Sequence, residues 1–594
     1  MPNYQNILMV YPEVPSNTYW SFKYALKFIH KKSSMPPLGL LTVAALFPPD
    51  YHLKLVDMNI ESLCDEDIEW ADAVFISAMI VQKESMQSVI TRCKQMHTKV
   101  VLGGPYANSN REEIEGVDHF VLGEVEETLQ PFLSDLENGV AKEIYPLPPH
   151  PDISKAPTPR FDLLKMDAYG SMAVQYSRGC PFHCEFCDIW VIYGNTPRLK
   201  SADAMVAEME ALYQQGWRGP VFLVDDNFIG NKKRAKAELL PALKQWQEAH
   251  GHPFHFFTEA SINMASDDDL LALMREAGFN EVFIGIETPD REGLKETGKV
   301  QNLKTDMGEA VRHIQKHGIE VMAGFIVGFD NDKPDIFERQ IRFIQRNAIP
   351  KAMIGLLVAL PGTKLYQRLK SEGRILGSSI GNNTHVLSTN FKTVMDGDRL
   401  KEGYKKILAN IYDFRLKKYF ERCNRLFDNM EYTEYFQRQI KLQEVKIFIK
   451  SLLRQPFTPY GWQYLKFLGR NFLKHREVFG EAVSMGITGH HFHTITQETL
   501  KKEKTASILE EKYRYFVGLV NQYSKSLMTN SIDNIDYAAK LWKKRVKLLK
   551  EMQHKINKIH IDFREDLNSR YMEISKQMRE LMNTFEQKAL PAPK

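Results

Sequence analysis

Short apolar runs of strand length alternate with helical stretches along the first 375 residues. A chain of this kind buries its strands as parallel βα units. In residues 5–135 the runs are "NILMVYP" (6–12), "HLKLVDM" (52–58), "DAVFISAM" (72–79), "KVVLGGP" (99–105) and "HFVLGE" (119–124). Helical segments such as "PPLGLLTVAALF" and "ESMQSVITRCKQMH" separate them, which predicts a doubly wound, Rossmann-like α/β domain over 1–144. A proline-rich linker, 145–165, opens with "YPLPPHPDISKAPTPRFD". Six further runs follow: "MAVQYSR", "PVFLVDDNF", "FHFFTEAS", "EVFIGIE", "EVMAGFIVGF" and "KAMIGLLVALP". With right-handed crossovers they predict a partial (β/α)6 barrel over 166–376, its functional residues at the carboxyl ends of the strands. Strand patterns vanish beyond about 390, so 377–500 and 501–594 read as all-α, ending in a frayed "EQKALPAPK".

The 594 residues exceed one core, and 43% hydrophobic with 26% charged content is that of an ordinary globular protein. No window approaches eighteen uninterrupted apolar residues, and "MPNYQNILMVYPEVP" lacks the pattern of an export signal. Those features predict the cytoplasm, where clustered thiols bind metal rather than form disulfides. Residues 401–594 carry 37 Lys and Arg against 22 Asp and Glu, while the first 400 carry 41 against 52. The basic back and the acidic front therefore read as having different tasks.

Three of the six cysteines fall in "SRGCPFHCEFCDIW": Cys180, Cys184 and Cys187, just after the first barrel strand. Cys64, Cys93 and Cys423 are scattered and read as buried residues. A structural zinc site wants four ligands, and His183 is the one candidate for a fourth. A 4Fe–4S cluster takes four cysteines as a rule, so three leave one iron open to an exogenous chelator.

The C-x-x-x-C-x-x-C spacing, with Phe186 before the last cysteine and a six-unit barrel around it, resembles the radical S-adenosylmethionine (SAM) superfamily. The resemblance implies that SAM chelates the open iron and is cleaved by one electron to a 5′-deoxyadenosyl radical. It also implies a flavodoxin- or ferredoxin-like donor. Asp225, Asp226 and Asn227 stand where that family holds the methionyl ammonium, although its Gly-Gly-Glu is absent. Glu259, Ser261 and Glu287 end the third and fourth strands as candidates for ribose or carboxylate. "GFIVGF" (324–329), with Phe325 and Val327, resembles the adenine-binding stretch, and "ALPGTKLY" (359–366) the sixth strand end. Each acid taken alone is equally a solvated loop carboxylate or a helix cap.

A five-stranded domain ahead of such a barrel resembles the cobalamin-binding domain of one radical SAM subgroup. The match rests on "LGGPYANSN", with Gly103, Gly104 and Pro105, and on "LGEVEET", with Gly123 and Glu124. Ser77 and Met79 point to the same crevice. The Asp-x-His-x-x-Gly of many cobalamin proteins is missing: the loop reads "YPEVPSNTYW", so the lower face of cobalt is left open or met by another residue or water. Residues 5–500 resemble the group that includes the hopanoid C-2 methylase. That resemblance implies methyl transfer to an unactivated carbon of a lipid or hydrophobic metabolite. Radical cyclisation, rearrangement or hydroxylation is the second reading, and a non-catalytic iron–sulfur scaffold or sensor the third. His490, His491 and His493 read as a structural cluster before a metal triad. "LWKKRVKLLK" (541–550) is basic and amphipathic, with Trp542, Val546, Leu548 and Leu549 as its apolar face. It predicts helical packing first, peripheral contact with the inner membrane face second, and nucleic acid last. An acidic electron carrier docking on these basic helices is a further expectation.

Overall fold

The computed structural model describes residues 4–146, 150–431, 442–527 and 534–589. The front domain is one parallel sheet of β1 (Asn6–Tyr11), β2 (His52–Asp57), β3 (Ala73–Ser77), β4 (Lys99–Gly103), β5 (His119–Val121) and β6 (Ile144–Tyr145). Their order is β2-β1-β3-β4-β5-β6. All five expected strands are present; β6 is two residues long, too short for any periodicity to reveal. The order reverses between β1 and β3, and that switch point opens a crevice at the carboxyl ends. Apolar clusters cover both faces, Leu8, Val74 and Leu102 on one and Met9, Phe75 and Val101 on the other.

The described part of the proline-rich segment is packed. Ile153 and Phe161 are buried and Arg160 N donates to Leu41 O at 3.1 Å; just beyond the segment, the buried Tyr169 donates its OH to the buried Asp57 at 2.9 Å. Residues 147–149 of the expected linker lie outside the described residues.

The second sheet comprises β7 (Met172–Val174), β10 (Pro220–Leu223), β11 (His255–Ala260), β12 (Phe279–Glu287), β13 (Glu320–Val327) and β14 (Ala352–Leu356), between which a small hairpin, β8 (Ser177–Arg178) with β9 (Arg198–Leu199), intervenes. The six strands are parallel in the order β14-β13-β12-β11-β10-β7, with β7 and β14 as unpaired edges, a partial barrel. "MAVQYSR" therefore splits into β7 and β8. The buried Asp225 takes up the turn, accepting from Tyr176 N at 2.8 Å and Ser177 Oγ at 2.6 Å.

Register fixes which side chains face the lumen. Phe325 packs on Phe343 of the crossover helix Ile336–Arg346, so it points outward and Gly324 points inward. A Cβ on Gly324 would lie 2.9 Å from Phe283 Cζ, and Gly324 pairs with Gly285. Along the ladders the same face carries Phe283, Glu259, Phe257 and Phe222. The outward residues Val221, Leu223, Phe256, Val282 and Ile284 are 0% exposed, whereas Phe222, Phe257, Phe283 and Met353 are only partly buried. The lumen wall thus combines partly buried apolar side chains with the Glu259 carboxylate. Trp20 of the front domain reaches Phe283, ring centroids 5.2 Å apart.

Beyond the barrel the described chain is helical: Gly397–Ile411, Lys417–Asn429, Leu442–Arg454, Gly461–Lys474 and Phe479–Leu527. The fully buried Arg422 donates to Ile349 O and Ile411 O at 2.8 Å each, satisfying carbonyls at a barrel loop and a helix end. The chain divides into two compact units, Met1–His493 and Thr494–Lys594. The expected boundary at 500/501 falls inside the helix Phe479–Leu527.

In the second unit, Asn534–Ile556 packs against Glu565–Ala589. Leu548 and Leu549 are buried in it and Trp542 Nε1 donates to Glu586 at 2.6 Å, leaving Val546 as the exposed member of the expected membrane face. Helical packing uses that face. No helix among the described residues is long and apolar enough to cross a membrane. The tail 590–594 lies outside them.

Helix packing also sets a tight point. A Cβ on Gly403 would lie 2.2–2.3 Å from the Phe337 ring, while one on Gly469, on an exposed helix face, meets nothing within 4 Å. Gly403→Ala is expected to destabilise by about 1–3 kcal/mol, and Gly469→Ala to stabilise by about 0.5–1 kcal/mol, both read by urea unfolding.

Candidate active site at the barrel mouth

The cysteine loop is held by its own backbone. Gly179 sits at φ +95°, and a Cβ there would meet Gly194 O at 2.9 Å and Tyr193 O at 3.0 Å, so only glycine fits before Cys180. Glu185 N donates to Thr297 O at 2.9 Å, Leu365 N donates to Glu185 O at 3.0 Å, and Arg368 Nε donates to the Glu185 carboxylate at 2.7 Å. The "ALPGTKLY" segment thereby clamps the loop. Trp190 Nε1 donates to Cys184 O at 3.2 Å.

Cys180, Cys184 and Cys187 are free thiols. Burial pushes the thiol pKa of Cys180 and Cys184 up, with the Lys299 ammonium opposing it. Asn227 Nδ2 and Gln301 Nε2 each lie 4.0 Å from a sulfur, of Cys180 and Cys184 respectively. Among the described residues, the one trio of potential ligand atoms all within 4.8 Å of one another lies elsewhere. The three sulfurs are therefore spread wider than a single tetrahedral zinc, with Zn–S bonds of about 2.3 Å, would hold them. His183 bonds to Asn195 at 3.1 Å and is exposed. Wide spacing, three thiols, a facing cation and two N–H donors fit a 4Fe–4S cluster.

The expected polar residues separate by role. Asp225 is consumed in the β7–β8 turn, and Asp226 accepts from Gly179 N at 3.1 Å. Burial pushes their pKa up, to about 7 and about 6. Asn227 Oδ1 accepts from Ser261 N and Oγ at 3.2 and 3.3 Å, joining two strand ends. Glu259 faces the lumen, its pKa pushed up to about 7 by burial and then by Asp226. It has no hydrogen-bond partner among the described residues. Glu287 follows a bulge in β12 at φ +63° and pairs with Lys299, whose ammonium stays charged against burial because Glu287 and Cys184 face it. A Cβ on Gly285 would lie 2.3 Å from Glu287 Oε1, so this pair needs glycine beneath it. Phe186 packs with Ile326 and Phe329. Phe325 and Val327 lie on the outward face of β13, so "GFIVGF" presents Gly324, Ile326 and backbone to the lumen. Lys299, Gln301 and Gly179 were missed in the sequence; the first two lie in a connection without a motif.

In the front domain, Ser77, Met79, Gly103, Gly104, Pro105 and Gly123 gather at the carboxyl ends of β3, β4 and β5. Gly104, at φ +87°, would place a Cβ 2.5 Å from Ser77 Oγ, and one on Gly103 would lie 2.9 Å from Val121 O. Contacts within the protein thus require both glycines. Met79 is 40% exposed at the lip. This uncharged, glycine-lined mouth, with the Ser77 hydroxyl near Gly104, fits a bulky neutral macrocycle.

Glu124 departs from expectation. It is buried and binds Arg178 at 2.7 Å, Arg198 at 2.7 Å and His150 at 3.1 Å, while Glu126 holds Arg178 at 2.6 Å. Burial opposes ionisation of Glu124, but Arg198 and Arg178 hold its carboxyl below the usual range. It therefore bonds the front domain to the two arginines flanking the cysteine loop. His490, His491 and His493 turn to Tyr460 OH, Tyr19 O and Phe414 O at 2.6, 3.2 and 3.0 Å, a structural cluster. Cys93 and Cys423 are buried as expected; Cys64 is exposed at a helix start.

Residues 28–133 match the model of the B12 binding domain, 174–344 that of the radical SAM superfamily, and 363–505 a domain of unknown function (DUF4070). An uncharacterized methyltransferase of Synechocystis sp. is 44% identical over 408 residues, 68% of this chain and 76% of that protein. The hopanoid C-2 methylase of Rhodopseudomonas palustris is 37% identical over 377 residues, 63% of this chain and 71% of that protein. The radical SAM methyltransferase TsrM of Kitasatospora setae, solved with cobalamin and a [4Fe–4S] cluster, shares the fold at a TM-score of 0.52 and 13% identity. That likeness covers 76% of this chain and 96% of that one.

Glu124→Gln is expected to destabilise the enzyme by about 3 kcal/mol at pH 7, since it leaves buried arginines short of a counter-charge. The carboxyl's folded pKa is depressed below its ordinary 4.5. Its contribution is therefore full above pH 4.5 and fades as pH falls through the folded value. Urea unfolding of both proteins should show the gap narrowing below pH 4.5.

Proposed function

This chain belongs to the cobalamin-binding radical SAM family, in the group that includes the hopanoid C-2 methylase, and is a radical SAM methyltransferase; we propose that its substrate is a hydrophobic molecule methylated at an unactivated carbon inside the barrel. The observation that carries the substrate class is the lumen. Three phenylalanines and Met353, all only partly buried, line it beside the Glu259 carboxylate, and such apolar side chains favour an apolar guest held near one polar group.

The cofactors are a 4Fe–4S cluster, SAM and cobalamin, which when bound supply a hydrogen-abstracting radical and a transferable methyl group. In our reading Cys180, Cys184 and Cys187 hold the cluster, and Asn227 and Gln301 donate to its sulfur ligands. Glu259 and Asp226 accept the methionyl ammonium, a cation that an unpartnered lumen carboxylate suits. The Glu287–Lys299 pair sets the charge between cluster and lumen. Phe186 and the Gly324–Gly328 backbone form the flat surface for adenine. Ser77, Met79, Gly103–Pro105 and Gly123 receive cobalamin. Arg178, Glu124 and Glu126 are positioning residues, holding that crevice against the cysteine loop. The domain limits follow: 1–144 for cobalamin, 166–376 for the cluster and SAM, 377–500 for the helices supporting the barrel. A low-potential carrier of flavodoxin or ferredoxin type supplies electrons, and a cysteine-ligated cluster suits a reducing cytoplasm.

Methyl transfer requires two uses of SAM. Reconstituted enzyme turning over substrate is therefore expected to release S-adenosylhomocysteine and 5′-deoxyadenosine together; deoxyadenosine alone would defeat the reading. Cys184→Ala is expected to abolish deoxyadenosine formation while corrinoid binding, measured by absorption after gel filtration, persists.

A further inference from the structure

We propose that Asp268, His313 and His317 form a site for a divalent transition-metal ion on the outside of the barrel, separate from the cysteine loop and independent of the function proposed above. His313 lies on the helix Met307–Lys316 and His317 at its end, one turn apart, so both imidazoles project from one face. Asp268 comes from the first turn of the neighbouring helix Asp268–Glu276. One ligand atom from each residue falls within 4.8 Å of the other two. His313 Nε2 is 2.6 Å and His317 Nε2 3.9 Å from Asp268 Oδ1. Those distances bracket the separation of about 3.4 Å between ligands on a tetrahedral zinc with bonds near 2.0–2.1 Å.

His313 Nε2, 2.6 Å from Asp268 Oδ1, donates a proton that an entering metal ion would displace, whereas the hydrogen bonding of His317 leaves a nitrogen to ligate. His317 Nδ1 lies 3.0 Å from the His313 carbonyl, which can only accept, so this nitrogen carries the proton. In the neutral imidazole Nε2 is then a lone pair, 3.9 Å from Asp268 Oδ1. A backbone carbonyl fixing one imidazole nitrogen while the other is free to ligate is the arrangement of metal-bound histidines. Two nitrogens and one carboxylate oxygen select zinc, cobalt or nickel over calcium or magnesium. Asp268 is exposed, which leaves a fourth position to water. The ion would clip the crossover that precedes β12 to the one that follows it, bracing the strand that ends in Glu287.

The test uses full-length, cluster-reconstituted enzyme, so that the cysteines are already occupied, titrated anaerobically with Co2+. One equivalent is expected to give visible d–d absorption without the near-ultraviolet band of thiolate ligation, displaced by Zn2+. His317→Ala and Asp268→Asn should each weaken binding by about tenfold or more while leaving the far-ultraviolet circular dichroism intact. Zinc should raise the melting temperature of the wild type and of neither variant. Absence of saturable binding, or a spectrum unchanged in both variants, would make the trio an imidazolium–carboxylate pair and overturn the proposal.

Discussion

The structure turns on one buried carboxylate cluster. Glu124 and Glu126 sit on the loop after β5 of the front domain, and the arginines they hold, Arg178 and Arg198, lie in the two short strands that bracket the cysteine loop. Charges removed from water in this way gain little net stability over an apolar contact, but they are costly to separate. Their effect is specificity of position. They tie the loop after β5 of one sheet to the hairpin that brackets the cysteine loop beside the other.

Much of the architecture was legible because periodicity reports burial on two faces. The eleven expected strands all correspond to observed ones, and the cysteine loop lies at the barrel mouth where the strand order put it. What stayed hidden was of two kinds. Some elements were too short to show a pattern: β6 has two residues, and "MAVQYSR" breaks where Asp225, distant in sequence, captures Tyr176 and Ser177. Other features depend on partners that a single chain position cannot display. Lys299 matters because the β12 bulge turns Glu287 toward it, and Glu124 looked like a ligand-facing residue until its arginines were placed. Paired glycines signalled a bulky guest, yet Gly104 is required by Ser77 of the same domain.

Parity along the strands separates supporting residues from lining residues. "GFIVGF" alternates Phe325 and Val327, sealed against the crossover helix, with Gly324 and Ile326, which face the lumen. The same alternation makes Phe256 a core residue and Phe257 a wall of the chamber. β12 breaks this rule at two register shifts, one near its start between Phe279 and Glu281 and one at the end that carries Glu287.

The packed chain between the two sheets bears on how far they can part. Buried aromatic anchors, the Tyr169–Asp57 bond and the backbone contact to Leu41 tie the front domain to the start of the barrel at several points. Parting the two sheets would therefore mean breaking a buried tyrosine–carboxylate bond and a backbone bond together, a cost that a hinge made of loose linker would not carry.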